Sequence, residues 1–217
     1  MSDQTSASLR RIQQKLERLR ALDGKFTQFG STSHRYRLGP PLTEVDLLAQ
    51  ERRLGAALPA DYRQFLSEVG HGGAGPFYGL FALDSKNPEN LTQFGDLSKP
   101  FRWTEAFNPE TWEYPCDEEG VEWDEDGHFV GMFLPGALYL CDYGCALRFF
   151  LIVTGPCTGE VWHDWQADGT GIYPAVDAQG RRLGFLEWYE GWLDPALSAL
   201  GEKPQTASDG GNAGVSV

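Results

Sequence analysis

The sequence is short of cysteine, of basic residues and of long apolar runs, and each shortage removes a class of protein. No stretch approaches the roughly 18 consecutive apolar residues that a membrane helix needs. The polar opening Met1-Ser2-Asp3-Gln4-Thr5 leads into no apolar run with a cleavage site, so no secretion signal is visible. Four cysteines (Cys116, Cys141, Cys145 and Cys157) do not make a disulfide framework, and reduced thiols in a cytoplasmic protein are expected. Lys and Arg number 18 against 31 Asp and Glu, a net charge of -13. Such a surface repels phosphate backbones and anionic lipid, so neither nucleic acid nor membrane is expected as a partner. There is no nucleophile elbow, Walker loop, dinucleotide fingerprint or internal repeat. Gly72-Gly73-Ala74-Gly75 follows a helical pattern instead of opening one, so no helix N-terminus aims at a phosphate.

Apolar residues make up 41% of the 217 and aromatics 13%, enough for the core of one large domain. Charge is divided along the chain. Through Arg63 there are 11 basic and 7 acidic residues; after it there are 7 basic and 24 acidic.

Residues 6–22 read as an amphipathic helix, with Leu9, Ile12, Leu16 and Leu19 on one face and Arg10, Arg11, Lys15, Arg18 and Arg20 around the rest. That stripe suits docking on the domain or pairing of two subunits, so monomer and homodimer both stand. Thr43 and Asp46 form a capping-box signal ahead of Val45, Leu47, Leu48 and Leu54. Pro59 opens a further helix whose Tyr62, Phe65, Leu66 and Val69 make one buried stripe. Phe77–Leu83 reads as a strand and residues 101–107 as a short helix. Leu147–Val153, almost wholly apolar, reads as a central strand, and Glu160–Trp165 as the returning arm of a hairpin. A last helix over about 185–200 carries Phe185, Trp188, Tyr189 and Trp192, with Pro195 expected to break it near Asp194.

Helices, then strands, then a helix argue for an α+β fold: a mixed or antiparallel sheet with N-terminal helices and a C-terminal helix packed on it. The expected division is a helix and connector over 1–35, an α+β domain over 36–200 and a flexible tail over 201–217, too poor in apolar residues to order itself.

No metal or cofactor is expected. Cys141 and Cys145 are four apart, no histidine pair lies at ligand intervals, and the two read as small apolar residues flanking an Asp142–Gly144 turn. His163 and Asp164 are strand neighbours pointing to opposite faces, so one cannot orient the other for nucleophilic chemistry. No catalytic residue is assigned, and the tryptophans read as architecture.

The unusual segment is acidic. Asp117, Glu118, Glu119, Glu122, Asp124, Glu125 and Asp126 surround Trp123, with Trp112 and Tyr114 just before. A calcium loop lacks its spacing here. A solvated loop and a contact surface for a basic partner remain, the aromatics serving as anchors inside a charged rim. These ten residues are the candidate contact set.

Several pieces of the sequence also resemble a known family in order. Leu42–Gly55 and Leu58–Leu66, then Asp142-Tyr143-Gly144-Cys145, Leu151–Gly155, Gly159-Glu160-Val161-Trp162, and Phe185–Tyr189 with Trp192-Leu193 resemble the SMI/KNR cell-wall-assembly-regulator family of the SUKH superfamily. Gly70-His71-Gly72-Gly73 departs from it where members usually carry asparagine-glycine. The resemblance implies an α+β domain without catalytic residues. Many bacterial members are immunity proteins that block toxins, often nucleases, and fungal members act through protein contacts in cell-wall synthesis. A protein partner is thus expected, a basic toxin first, with a regulatory or scaffold role as the alternative.

Overall fold

The computed structural model describes residues 3–83, 96–108, 121–123, 125 and 129–201. The chain opens with α1 (Asp3–Leu22), a one-turn α2 (Ser31–His34), β1 (Leu38–Gly39), α3 (Glu44–Leu54), α4 (Ala60–Glu68) and β2 (His71–Gly73). Then come β3 (Val121–Trp123), β4 (Phe129–Met132), β5 (Ala137–Gly144), β6 (Leu147–Ile152), β7 (Val161–Trp165), β8 (Gly171–Pro174) and α5 (Phe185–Ala199).

Strands β5 to β8 form an antiparallel meander in chain order. Single bridges from Leu80 to Cys141 and to Gly73 connect its β5 edge to the β1–β2 pair. Alternation sorts the side chains. Leu138, Leu140, Phe149, Leu151 and Val161 face a core shared with α1, α4 and α5. Tyr139, Phe150, Ile152, Trp162 and Ile172 face a second core, closed by Phe101, Trp103, Met132 and Leu134. The fold is therefore α+β, and β6 is buried on both faces as its apolar run predicts.

Leu9, Ile12, Leu16 and Leu19 of α1 are all buried. The stripe is spent inside the chain, chiefly on α5, the most extensive helix–helix contact. Arg11 and Lys15 reach Glu190, and Lys15 also reaches Asp194. Thr43 and Asp46 complete the capping box of α3, satisfying two N-terminal amides.

Four local expectations are corrected. Residues 77–83 are not a strand: Phe77 and Tyr78 make a turn, Phe77 at φ 55°, and only Leu80 bridges. Residues 101–107 are not a helix: the segment is irregular, bends at Thr104 and Glu105, and pairs only through Phe107 with Ile172 at the β8 edge. Helix α5 runs through Pro195 to Ala199, because Leu193, Ala196 and Leu197 bury apolar surface that outweighs the lost backbone bond. The β5–β6 turn also falls at Cys145-Ala146, one residue beyond the expected Asp142–Gly144.

Candidate functional site

An open groove of about 890 Å³ runs between α5 and the 176–183 turn. Phe77, Phe149, Leu183 and Trp188 line it, with Phe29 at its mouth. Beyond Phe29 the apolar surface continues. Phe29, Tyr78 and Tyr143 are 61%, 48% and 40% exposed and lie ring to ring, Phe29 being 5.4 Å from Tyr78 and 6.4 Å from Tyr143. Three large aromatics exposed together are uncommon on a surface that meets only water.

The platform is held from below. Gly30, at φ 73°, lies so close to the Phe77 carbonyl that a Cβ would overlap it, so only glycine lets the Phe29 loop seat there. Asp23, almost fully buried, ties the same loop down. Its carboxylate accepts from the Thr27 amide and hydroxyl, the Gln28 amide and the Tyr36 hydroxyl, at 2.7–3.1 Å. Burial pushes the Asp23 carboxyl up, and those hydrogen bonds outweigh it and hold it at about 2.

Charge around the groove is arranged in two clusters. Arg181 pairs with Asp177 and Glu187. Glu190 takes Arg11 and Lys15; burial pushes its carboxyl up, and the two cations bring it below its ordinary value.

His163 stacks on Tyr173 at 4.4 Å and lies 4.5 Å from Phe149 and 4.6 Å from Trp165. Its Nδ1 has no hydrogen-bond partner among the described residues, and burial lowers its pKa to about 4. Asp164 lies on the opposite face, taking the Tyr139 hydroxyl at 2.6 Å, so alternation does separate the pair. The imidazole is thus packed against three aromatic rings. Cys141 and Cys157 are buried and burial raises both thiols; Cys145 is exposed at the β5–β6 turn. Among the described residues no three His, Cys, Asp or Glu side chains are grouped to hold a metal, and no helix is long and apolar enough to cross a membrane.

Of the acidic contact set, Glu122, Trp123 and Glu125 are described. Glu122 is exposed and Trp123 half-buried on β3, whose pairing with β4 sets Val121 and Met132 against the second core. They sit across the sheet from the groove, so the structure does not bring the two surfaces together. Trp112, Tyr114, Asp117, Glu118, Glu119, Asp124 and Asp126 lie outside the described residues, as does the expected tail after Gly201. Sequence reading missed the groove and its platform. From Trp103 to Leu147 the chain carries eleven acidic residues and no lysine or arginine.

No curated protein and no solved structure matches the chain. The family model described as SMI1 / KNR4 family (SUKH-1) matches residues 41–177, more than half of the sequence. That interval holds α3, α4 and every strand from β2 to β8, and leaves out α1 and α5. On this match the chain belongs to the SMI1/KNR4 family (SUKH-1).

Proposed function

We propose that this chain works by binding another protein without chemistry of its own, as an immunity protein that blocks a basic toxin. The observation that carries this reading is the run of eleven carboxylates from Trp103 to Leu147 with no cation among them. A nuclease must present cationic surface to hold phosphates. An acidic inhibitor attracts that surface, speeds the encounter and satisfies its charges. The exposed aromatics Phe29, Tyr78 and Tyr143 supply a second kind of contact, since buried aromatic anchors dominate interface energies. Family membership supports the reading.

The contact set is Trp112, Tyr114, Asp117, Glu118, Glu119, Glu122, Trp123, Asp124, Glu125 and Asp126. Changing Asp117, Glu118, Glu119, Asp124, Glu125 and Asp126 together to lysine should slow association with the co-purified native partner about 10- to 100-fold at low salt. It should also flatten the dependence of affinity on ionic strength. Unchanged affinity with an unchanged salt slope removes this segment from the interface.

The double variant Phe29→Ala, Tyr78→Ala separates folding from binding. Both rings are exposed, so stability should change by less than about 1 kcal/mol, while partner affinity should drop about tenfold or more. Thermal melts alongside calorimetric titration read the two effects independently, and equal affinity would take the platform out of the interface.

A further inference from the structure

The solvent side of α5 forms one wall of the groove, and its sequence is poorly suited to a helix. Gly191 stands near the middle of α5, where glycine is less stable than alanine. Packing among the described residues gives no reason for it: a Cβ built on Gly191 meets none of them within 4 Å. One turn on is Pro195, which has no N–H to offer. The Gly191 carbonyl therefore lacks the amide that would ordinarily take it at i+4, and the proline ring crowds that carbonyl outward. The two poorest helix formers thus share one exposed face of one helix, and both line the groove.

What the pair does is leave a backbone oxygen uncovered by any side chain of its own residue. The neighbours of Gly191 on this face are Glu187 and Asp194, both exposed, at the i,i±3/4 spacing that brings side chains together. All three groups accept hydrogen bonds. Glu187 already holds Arg181 and Asp194 already holds Lys15, but a carboxylate has more acceptor sites than one cation fills, and Asp177, Glu187, Glu190 and Asp194 outnumber Arg11, Lys15 and Arg181. Half-buried Trp192 adds an aromatic ring beside them.

We propose that the Gly191–Pro195 face of α5 receives an arginine side chain of a protein partner, the apolar residues flanking that arginine lying in the groove. A guanidinium carries five donors in one plane, enough for a carbonyl and two carboxylates, and it stacks on indole. The missing side chain at 191 lets it reach the backbone. This rests on the protein-binding reading and names what the partner must present.

The test uses the full chain and two short acetylated peptides, one with a single arginine among leucine and serine, the other with citrulline in its place. Binding is followed by the NMR signals of the tryptophan indoles. The arginine peptide should move the Trp192 signal, and the citrulline peptide should bind about tenfold more weakly. Gly191→Gln should raise Tm by about 2–4 °C and weaken the arginine peptide about tenfold. A more stable protein that binds worse cannot be explained by damage to the fold. Equal affinity for the two peptides, undiminished binding by Gly191→Gln, or signal changes confined to other tryptophans would each overturn the site. So would a dimer in sedimentation that Gly191→Gln dissociates, which would put a second copy in the groove. A native partner that holds Gly191→Gln as tightly as wild type overturns this site and leaves the functional reading standing. A wild-type chain that takes the arginine peptide but no protein from its host supports the site and sinks the functional reading alone.

Discussion

Replacing Trp162 by alanine should destabilise the protein by about 3–5 kcal/mol, enough to unfold many domains of this size at 37 °C. The indole is completely buried on the second face of the sheet, 5.1 Å from the ring of Phe101 and 6.4 Å from that of Phe150. Its Nε1 donates to Glu160 at 3.0 Å, and Glu160 in turn meets Arg182 at 3.3 Å. Alanine leaves a cavity between strand and covering segment and takes away the donor that Glu160 accepts. Phenylalanine keeps most of the volume and should cost distinctly less. Urea midpoints of the two variants check this, and a Trp162→Ala protein within 1 kcal/mol of wild type (about the scatter of a surface change) would place the core elsewhere.

Stability should also fall as the pH drops below 6.5, for a reason visible in three residues. Burial lowers the pKa of His34 and of His163 to about 4, against an ordinary 6.5. A base held neutral by the fold costs nothing above 6.5. Between 6.5 and 4 the unfolded chain binds the proton that the folded one refuses, and each histidine removes up to about 3 kcal/mol. His34 is 93% covered, its Nε2 without a partner among the described residues and its ring edge-on to Trp192. Asp23 then takes over. Its depressed value gives stability that is complete above about pH 5 and lost towards pH 2, about 2 kcal/mol in all. Denaturation across pH 7 to 2 should therefore show two limbs. His163→Phe should flatten the upper one and Asp23→Asn the lower; unchanged slopes would refute the assignment.

The helices were legible because a period of 3.6 is written directly into their residues. Leu9, Ile12, Leu16 and Leu19, then Tyr62, Phe65 and Leu66, then Phe185, Trp188 and Tyr189 recur at helical spacing and are buried. Strand β6 was legible because a strand covered on both faces has no polar side to show. Phe77–Leu83 misled because its composition suits a strand, while its turn at Phe77-Tyr78 is packed against a glycine 47 positions earlier in the chain, a contact no local window shows. Pro195 misled because helix propensity is local and the burial of Leu193 and Leu197 is not. The groove had no local signature at all: it gathers residues from around positions 29, 77, 149, 183 and 191, and no window of sequence contains them. The acidic cluster is the reverse case, plain in the sequence and described by the structure only at Glu122, Trp123 and Glu125.

The docking of α1 on α5 has a consequence for synthesis. Helix α1 packs on α5, whose residues are made some 175 positions later, in the pairing of Arg11 or Lys15 with Glu190. At about 5–20 residues per second, the leucine face of α1 waits on the order of 10–35 s for the surface that covers it. Throughout that wait it is an uncovered apolar stripe on a nascent chain. Its arginines and lysine keep that stripe solvated at its margins, and high contact order makes closure of the two ends a late step in folding.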